Sequence, residues 1–110
     1  MSSTEPQTET WEELRDRAKQ IVDALIARLP DELRPEALRI GYELHKRCRD
    51  EHLWGGYTRS AQLIELYLEA IREDCTEESR DFWTELERTY LHELGHHLGL
   101  DENEVERYGL

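Results

Sequence analysis

The sequence is short of basic residues. It holds 14 Lys and Arg against 26 Asp and Glu, which gives a formal net charge of −12. Because contacts with phosphate need clustered Lys and Arg, this deficit excludes a nucleic-acid-binding protein and argues equally against binding to an anionic membrane surface. The same acidic balance favours solubility and attracts cations, metal ions included.

Long apolar runs and cysteines are scarce as well. No stretch reaches the ~18 apolar residues that a membrane-spanning helix needs. The first ten residues, MSSTEPQTET, contain neither a basic segment nor an apolar one, so we expect no secretory signal. The two cysteines, Cys48 and Cys75, lie among polar residues. We therefore expect free thiols, rather than a disulfide, in a reducing cytoplasm.

The chain length allows one domain. With 110 residues, of which 37% are apolar and 36% charged, the chain can bury only a small core. Residues 1–9 are polar and lack apolar anchors, which predicts a disordered N-terminal tail. We expect residues 10–110 to form the single folded domain.

The first half of the domain shows two clear patterns. Thr10 and Glu13 form a capping box, and apolar residues follow at helical spacing, which predicts an amphipathic helix from about Trp11 to Arg28. The segment ALRIGYELH, residues 37–45, alternates apolar and other residues, which predicts a strand with one buried face. Gly55 and Gly56 indicate a turn or a bulge.

The second half is partly ambiguous. Residues 61–71, AQLIELYLEAI, fit the period of a strand and that of a helix equally well. Thr76 is a plausible N-cap, and we predict a helix from there to about Leu98, where Gly99 can end it.

The predicted C-terminal helix carries three histidines. At about 100° per residue, His92, Glu93 and His96 share a face that is separate from the apolar stripe, whereas His97 points toward the core. Two imidazoles one turn apart can both reach one Zn²⁺ ion at about 2.0–2.1 Å. A carboxylate in the second position of H-E-x-x-H lies beside the metal, where it can deprotonate a water molecule.

An extension of this motif makes it more specific. Three residues after His96 comes Gly99, and three residues later comes Glu102, so the whole reads H-E-x-x-H-x-x-G-x-x-E. The glycine turns the chain back, and Glu102 can then serve as the third ligand of an open catalytic site. Asp101 competes for this role. However, Asp101 and Glu104 also have the spacing of a helix cap, which favours Glu102 as the ligand.

At this point the sequence resembles the small bacterial zincin-like metallopeptidases, the minimal zincins. The resemblance rests on HELGHHLGL near the C-terminus, followed by an acidic residue in place of a third histidine. The N-terminal helix ending in LPDEL, the strand after it, LWGGY and the I-x-L-Y segment are similar in order, so that the resemblance covers residues 11–110. A metzincin is a poorer match, because Glu102 replaces its third histidine and the only methionine is Met1.

The resemblance implies an α+β fold, a small zincin-like domain whose N-terminal helix and C-terminal active-site helix pack on a short mixed β-sheet. It favours a strand over residues 63–68. It also implies a peptidase with Zn²⁺ held by His92, His96 and Glu102, with Glu93 as general base and a peptide bound along an edge strand. Two alternatives remain: a metal-binding domain that acts through a protein partner without peptidase activity, and a structural interaction module with a vestigial motif.

Overall fold

The computed structural model describes residues 10–100 together with Asn103 and Arg107. The fold is α+β, as predicted, with a three-stranded mixed sheet and flanking helices. The tail predicted over residues 1–9 lies outside the described residues. Within them, none of the helices is both long and apolar enough to cross a membrane. In chain order the elements are α1 (Trp11–Ala27), α2 (Arg34–Arg39), β1 (Gly41–His45), β2 (Gly55–Thr58), β3 (Leu63–Tyr67), α3 (Leu68–Glu78) and α4 (Phe82–Leu98).

Helix α1 begins with the capping box that the sequence predicts. The Thr10 hydroxyl accepts a hydrogen bond from the Glu13 backbone N–H at 3.2 Å, and the Glu13 carboxylate accepts one from the Thr10 N–H at 3.0 Å. Both bonds satisfy amide groups that the first turn of a helix leaves without partners. The helix ends at Ala27, one residue before the predicted end, and it buries Leu14, Ala18, Val22, Leu25 and Ile26.

The sheet has the strand order β1-β3-β2, with β1 parallel and β2 antiparallel to the central strand. Helix α4 packs against β2, β3, α1 and α3. Ile64 and Leu66 of β3 are fully buried, which identifies the inner face of the sheet. Strand β2 therefore combines two properties, since it is an edge strand and it contacts the helix that carries the histidines. The core also includes Leu14, Ala18, Val22, Ile71, Leu86, Tyr90 and Leu94.

The strand predicted over residues 37–45 is wrong in its first part. Residues 34–39 form helix α2, which has Pro35 in its first turn, and only residues 41–45 form β1. Proline suits the first helical turn because its missing N–H would have no partner there. Leu38, one of the alternating apolar residues, is 70% exposed, so it does not belong to a buried strand face.

The ambiguous segment 61–71 contains both kinds of structure. Residues 63–67 form the central strand β3, which agrees with the resemblance, and α3 begins directly after it at Leu68. The turn or bulge predicted at Gly55 and Gly56 is wrong, because both residues lie within β2 and pair with Leu66 and Glu65.

The single helix predicted from Thr76 to Leu98 is also wrong, because two separate helices, α3 and α4, cover this range. Thr76 lies inside α3, which ends at Glu78, and Ser79 follows in the left-handed region with φ 57°. The true N-cap of α4 is Asp81, whose carboxylate accepts a hydrogen bond from the Thr84 N–H at 2.9 Å.

Candidate metal centre

Helix α4 ends where the sequence predicts. Gly99 adopts φ 70° and ψ 25°, a left-handed conformation that glycine takes without a steric penalty. The Leu100 N–H then donates to the Gly95 carbonyl oxygen at 3.1 Å. This bond satisfies a carbonyl group of the last turn. The left-handed glycine directs the chain away from the helix axis just after the second histidine of the motif.

His92 and His96 lie one turn apart on the exposed face of α4, as predicted. Their Nε2 atoms are 2.9 Å apart, and the rings are nearly perpendicular, with centroids separated by 4.4 Å. Two tetrahedral ligands with bonds of about 2.0–2.1 Å lie roughly 3.4 Å apart. The two nitrogens therefore need to move apart only slightly to bind one zinc ion together. His92 and His96 thus fit such a metal.

Glu93 lies beside the histidine pair but is half-buried, because its stem runs under strand β2. Burial raises the pKa of the Glu93 carboxyl above its ordinary value, and the neighbouring His96 and His92 act in the opposite direction. The surrounding residues thus shield part of the Glu93 side chain from solvent.

Gly55 explains how β2 comes so close to α4. A β-carbon at this position would lie 2.8 Å from Cγ2 of Thr89, 3.2 Å from the carbonyl oxygen of Glu65 and 3.4 Å from Cγ of Glu93. The first of these distances is too short for a real contact. Glycine in a strand often indicates such a close approach, so the sequence could have indicated close packing at Gly55, although not its partners.

His97 turns away from the pair and packs against the sheet, as its helical angle predicts. Its Nδ1 atom is 2.7 Å from the hydroxyl of Tyr57 in β2, and the two rings meet edge to face at 5.0 Å. Burial lowers the pKa of His97, and the nearby Arg39 and Arg59 lower it further. A neutral imidazole can accept a hydrogen bond from the Tyr57 hydroxyl through Nδ1. Sequence reasoning missed this pair because its members are 40 residues apart.

The candidates for the third ligand, Asp101 and Glu102, lie outside the described residues. Asn103 and Arg107, which follow them, are helical and exposed. The choice of Glu102 over Asp101 stays a prediction.

Comparison with known proteins agrees with this architecture. The family model described as zincin-like metallopeptidase matches residues 23–110, which include the end of α1, the sheet, all of α4 and the histidine motif. No protein of curated function matches the chain. Because the family match spans most of the sequence, and the fold is the small α+β domain that the motif implies, the chain belongs to the zincin-like metallopeptidases.

Proposed function

We propose that this protein is a zinc-dependent peptidase that cleaves peptide bonds with Glu93 as general base. One observation carries the proposal: the Nε2 atoms of His92 and His96 converge to 2.9 Å on the exposed face of α4, directly beside a half-buried carboxylate. The membership in the zincin-like metallopeptidases supports it.

The proposed ligands are His92, His96 and Glu102. A bound zinc ion would supply Lewis acidity toward a peptide carbonyl and would lower the pKa of a water molecule toward 7. The donor set fits this ion, since zinc prefers imidazole nitrogen and carboxylate oxygen and a catalytic site uses three protein ligands.

The proposed role of Glu93 is to accept a proton from the attacking water and to pass it to the nitrogen of the leaving amine. A base must be held within hydrogen-bond reach of both atoms. Strand β2 limits the motion of the Glu93 side chain from one side, because Gly55 packs close to its Cγ atom. This contact keeps the carboxylate near the two histidines.

The proposed binding surface for the substrate is the open edge of β2. This strand is at one side of the sheet and pairs with β3 through its other edge. An extended peptide can add to such an edge through backbone hydrogen bonds. Gly55 and Gly56 leave this part of the strand without side chains, so a peptide backbone could approach closely above α4.

The first experiment is the Glu93→Gln variant. We expect it to keep the zinc content of the wild type and to lose hydrolysis of a peptide library by about 10²–10⁴-fold, because proton transfer is removed while the ligands stay. Glu87→Gln is the matched control, since Glu87 lies on the same helix and forms an ion pair with Arg28 at the surface.

Two results would contradict the proposal. Unchanged hydrolysis in Glu93→Gln would remove this residue from the mechanism. A wild-type protein that takes up no zinc on titration would exclude the metal centre itself. Normal zinc binding together with no cleavage of any peptide would instead favour a metal-binding domain that acts through a partner.

A further inference from the structure

A second group of metal-ligand side chains lies on the outer face of the sheet. Glu43 and His45 are on β1, and Glu65 is on the neighbouring strand β3. Side chains alternate between the two faces of a strand, and Ile64 and Leu66 point into the core. The three polar residues therefore lie on the opposite face of the sheet from α4 and its histidine pair.

The hydrogen bonding of this group is incomplete. His45 Nε2 lies 3.1 Å from a carboxylate oxygen of Glu43 and 3.3 Å from one of Glu65. A ring nitrogen carries one proton at most, so it cannot direct a full hydrogen bond at both carboxylates. Glu43 and Glu65 are also direct partners across the β1–β3 ladder, where like charges destabilise the pairing.

Tyr67 contacts two of these three side chains. The ring of Tyr67 stacks on His45 with centroids 5.9 Å apart and planes 29° from parallel. The Tyr67 hydroxyl donates to Oε1 of Glu65 at 3.4 Å, and Oε2 of the same carboxylate faces His45. Among residues 10–100, no Lys or Arg side chain forms an ion pair with Glu43 or Glu65.

A second cluster, also of one histidine and two carboxylates, is paired with cationic and N–H groups of the protein. His52, Glu73 and Asp74 also bring their ligand atoms together. However, Oδ2 of Asp74 already accepts hydrogen bonds from Trp54 at 2.7 Å and from His52 at 2.9 Å, and Glu73 pairs with Arg47 at 3.1 Å. Arg47 and Trp54, which lie outside this cluster, already bond to its carboxylates, so it is the weaker candidate for a metal site.

We propose that Glu43, His45 and Glu65 form a second binding site for a divalent transition-metal ion such as Zn²⁺. Bonds of about 2.0–2.2 Å place neighbouring ligand atoms roughly 3.0–3.5 Å apart, and the observed 3.1 and 3.3 Å fall within this range. The ion bonds to both carboxylates at once and offsets their repulsion. A proton on Nε2 of His45 forms a full hydrogen bond with only one of them. It thereby links β1 to β3 and stabilises the sheet.

This inference does not rest on the proposed peptidase function. The test is calorimetric titration of the metal-free protein with Zn²⁺, for the wild type and for the double variant His92→Ala/His96→Ala. We expect two equivalents to bind to the wild type and one to the double variant. Adding His45→Ala to the double variant should abolish the remaining binding.

Control variants separate this site from its neighbours and from loss of folding. His52→Ala, which alters the second cluster, should leave the remaining equivalent unchanged in the same background. Glu43→Gln keeps the size of an exposed side chain, and it should weaken zinc binding at this site while circular dichroism stays that of the wild type. The proposal is overturned if the double variant binds no zinc, or if its binding stays unchanged in either His45→Ala or Glu43→Gln.

Discussion

Gly55 of β2 and Glu93 of α4 lie so close together that a β-carbon on the glycine would lie 3.4 Å from Cγ of the glutamate. The edge strand therefore borders the candidate site directly, and the side chain beneath it is half-buried rather than solvated. The position of the proposed general base depends on a residue that has no side chain.

Gly55→Ala should destabilise the protein and disturb the site. The added methyl group would meet Cγ2 of Thr89 at 2.8 Å, and Thr89 cannot easily rotate away because its hydroxyl donates to the Glu85 carbonyl at 2.7 Å. We expect a loss of about 1–3 kcal/mol in the free energy of unfolding, the usual cost of overpacking. Urea unfolding followed by tryptophan fluorescence measures this loss.

Gly56→Ala is the matched control for that variant, since a β-carbon there would meet nothing within 4 Å. Its free energy of unfolding should stay close to that of the wild type. Combining Gly55→Ala with Thr89→Ser removes the clashing methyl group and should restore part of the stability. Equal losses in both single alanine variants would show that steric contact with α4 is not the cause.

Zinc affinity should distinguish the adjacent histidines of α4. Removing even a group that only orients a ligand costs about 10–100-fold in metal affinity, so His96→Ala should lose at least that much at the histidine pair. His97→Gln should keep zinc binding, because His97 contacts Tyr57 instead. Competition with a chromophoric chelator measures both, and equal losses in the two variants would contradict the assignment.

The third ligand can be assigned in the same way. We expect Glu102→Ala to weaken zinc binding strongly, because a three-ligand site becomes a two-ligand site. Asp101→Ala should leave the affinity nearly unchanged and cost about 0.5–2 kcal/mol of stability as a lost helix cap. The reverse pattern would assign the ligand to Asp101.

Asp74 should make stability depend on pH. Hydrogen bonds from His52 and Trp54 lower the pKa of its carboxyl in the folded state. Its contribution is therefore present above the unfolded pKa of about 3.9 and is lost as the pH falls through the lower folded value. Asp74→Asn should cost about 1 kcal/mol at pH 7 and clearly less near pH 3.

Urea unfolding at the two pH values tests this expectation, with Asp50→Asn as control because Asp50 is exposed and lies in the connection between β1 and β2 that also carries His52 and Trp54. Asp50→Asn should change stability little at either pH. A cost of Asp74→Asn that stays constant from pH 7 to about pH 3 would contradict the linkage.

Local features of the fold could be read from the sequence because their causes lie within a few residues. The capping box of Thr10 and Glu13 and the left-handed end at Gly99 involve neighbours three or four positions apart. The break between α3 and α4 is also local. It was nevertheless missed, because Thr76 and Asp81 both have the chemistry of an N-cap and only one of them occupies that position.

Where a segment fits both the strand and the helix period, its secondary structure could not be predicted without the tertiary structure. Residues 61–71 satisfy the strand and the helix pattern together, and pairing with β1 and β2 on either side selects a strand for 63–67. Leu38 and Ile40 alternate with polar residues as in a strand, but Leu38 faces solvent from helix α2. The alternation of apolar and polar residues is used to predict which side chains are buried. Burial itself, however, is a property of the assembled fold.

The sequence by itself determined the family and the face of α4 on which His92, Glu93 and His96 lie, because helical geometry relates residues that are one turn apart. Only the tertiary structure decided that β2 covers Glu93, that Tyr57 contacts His97, and that Glu43 and Glu65 face each other. These contacts join residues far apart in the chain, and their partners follow from strand order and register, which no local pattern specifies.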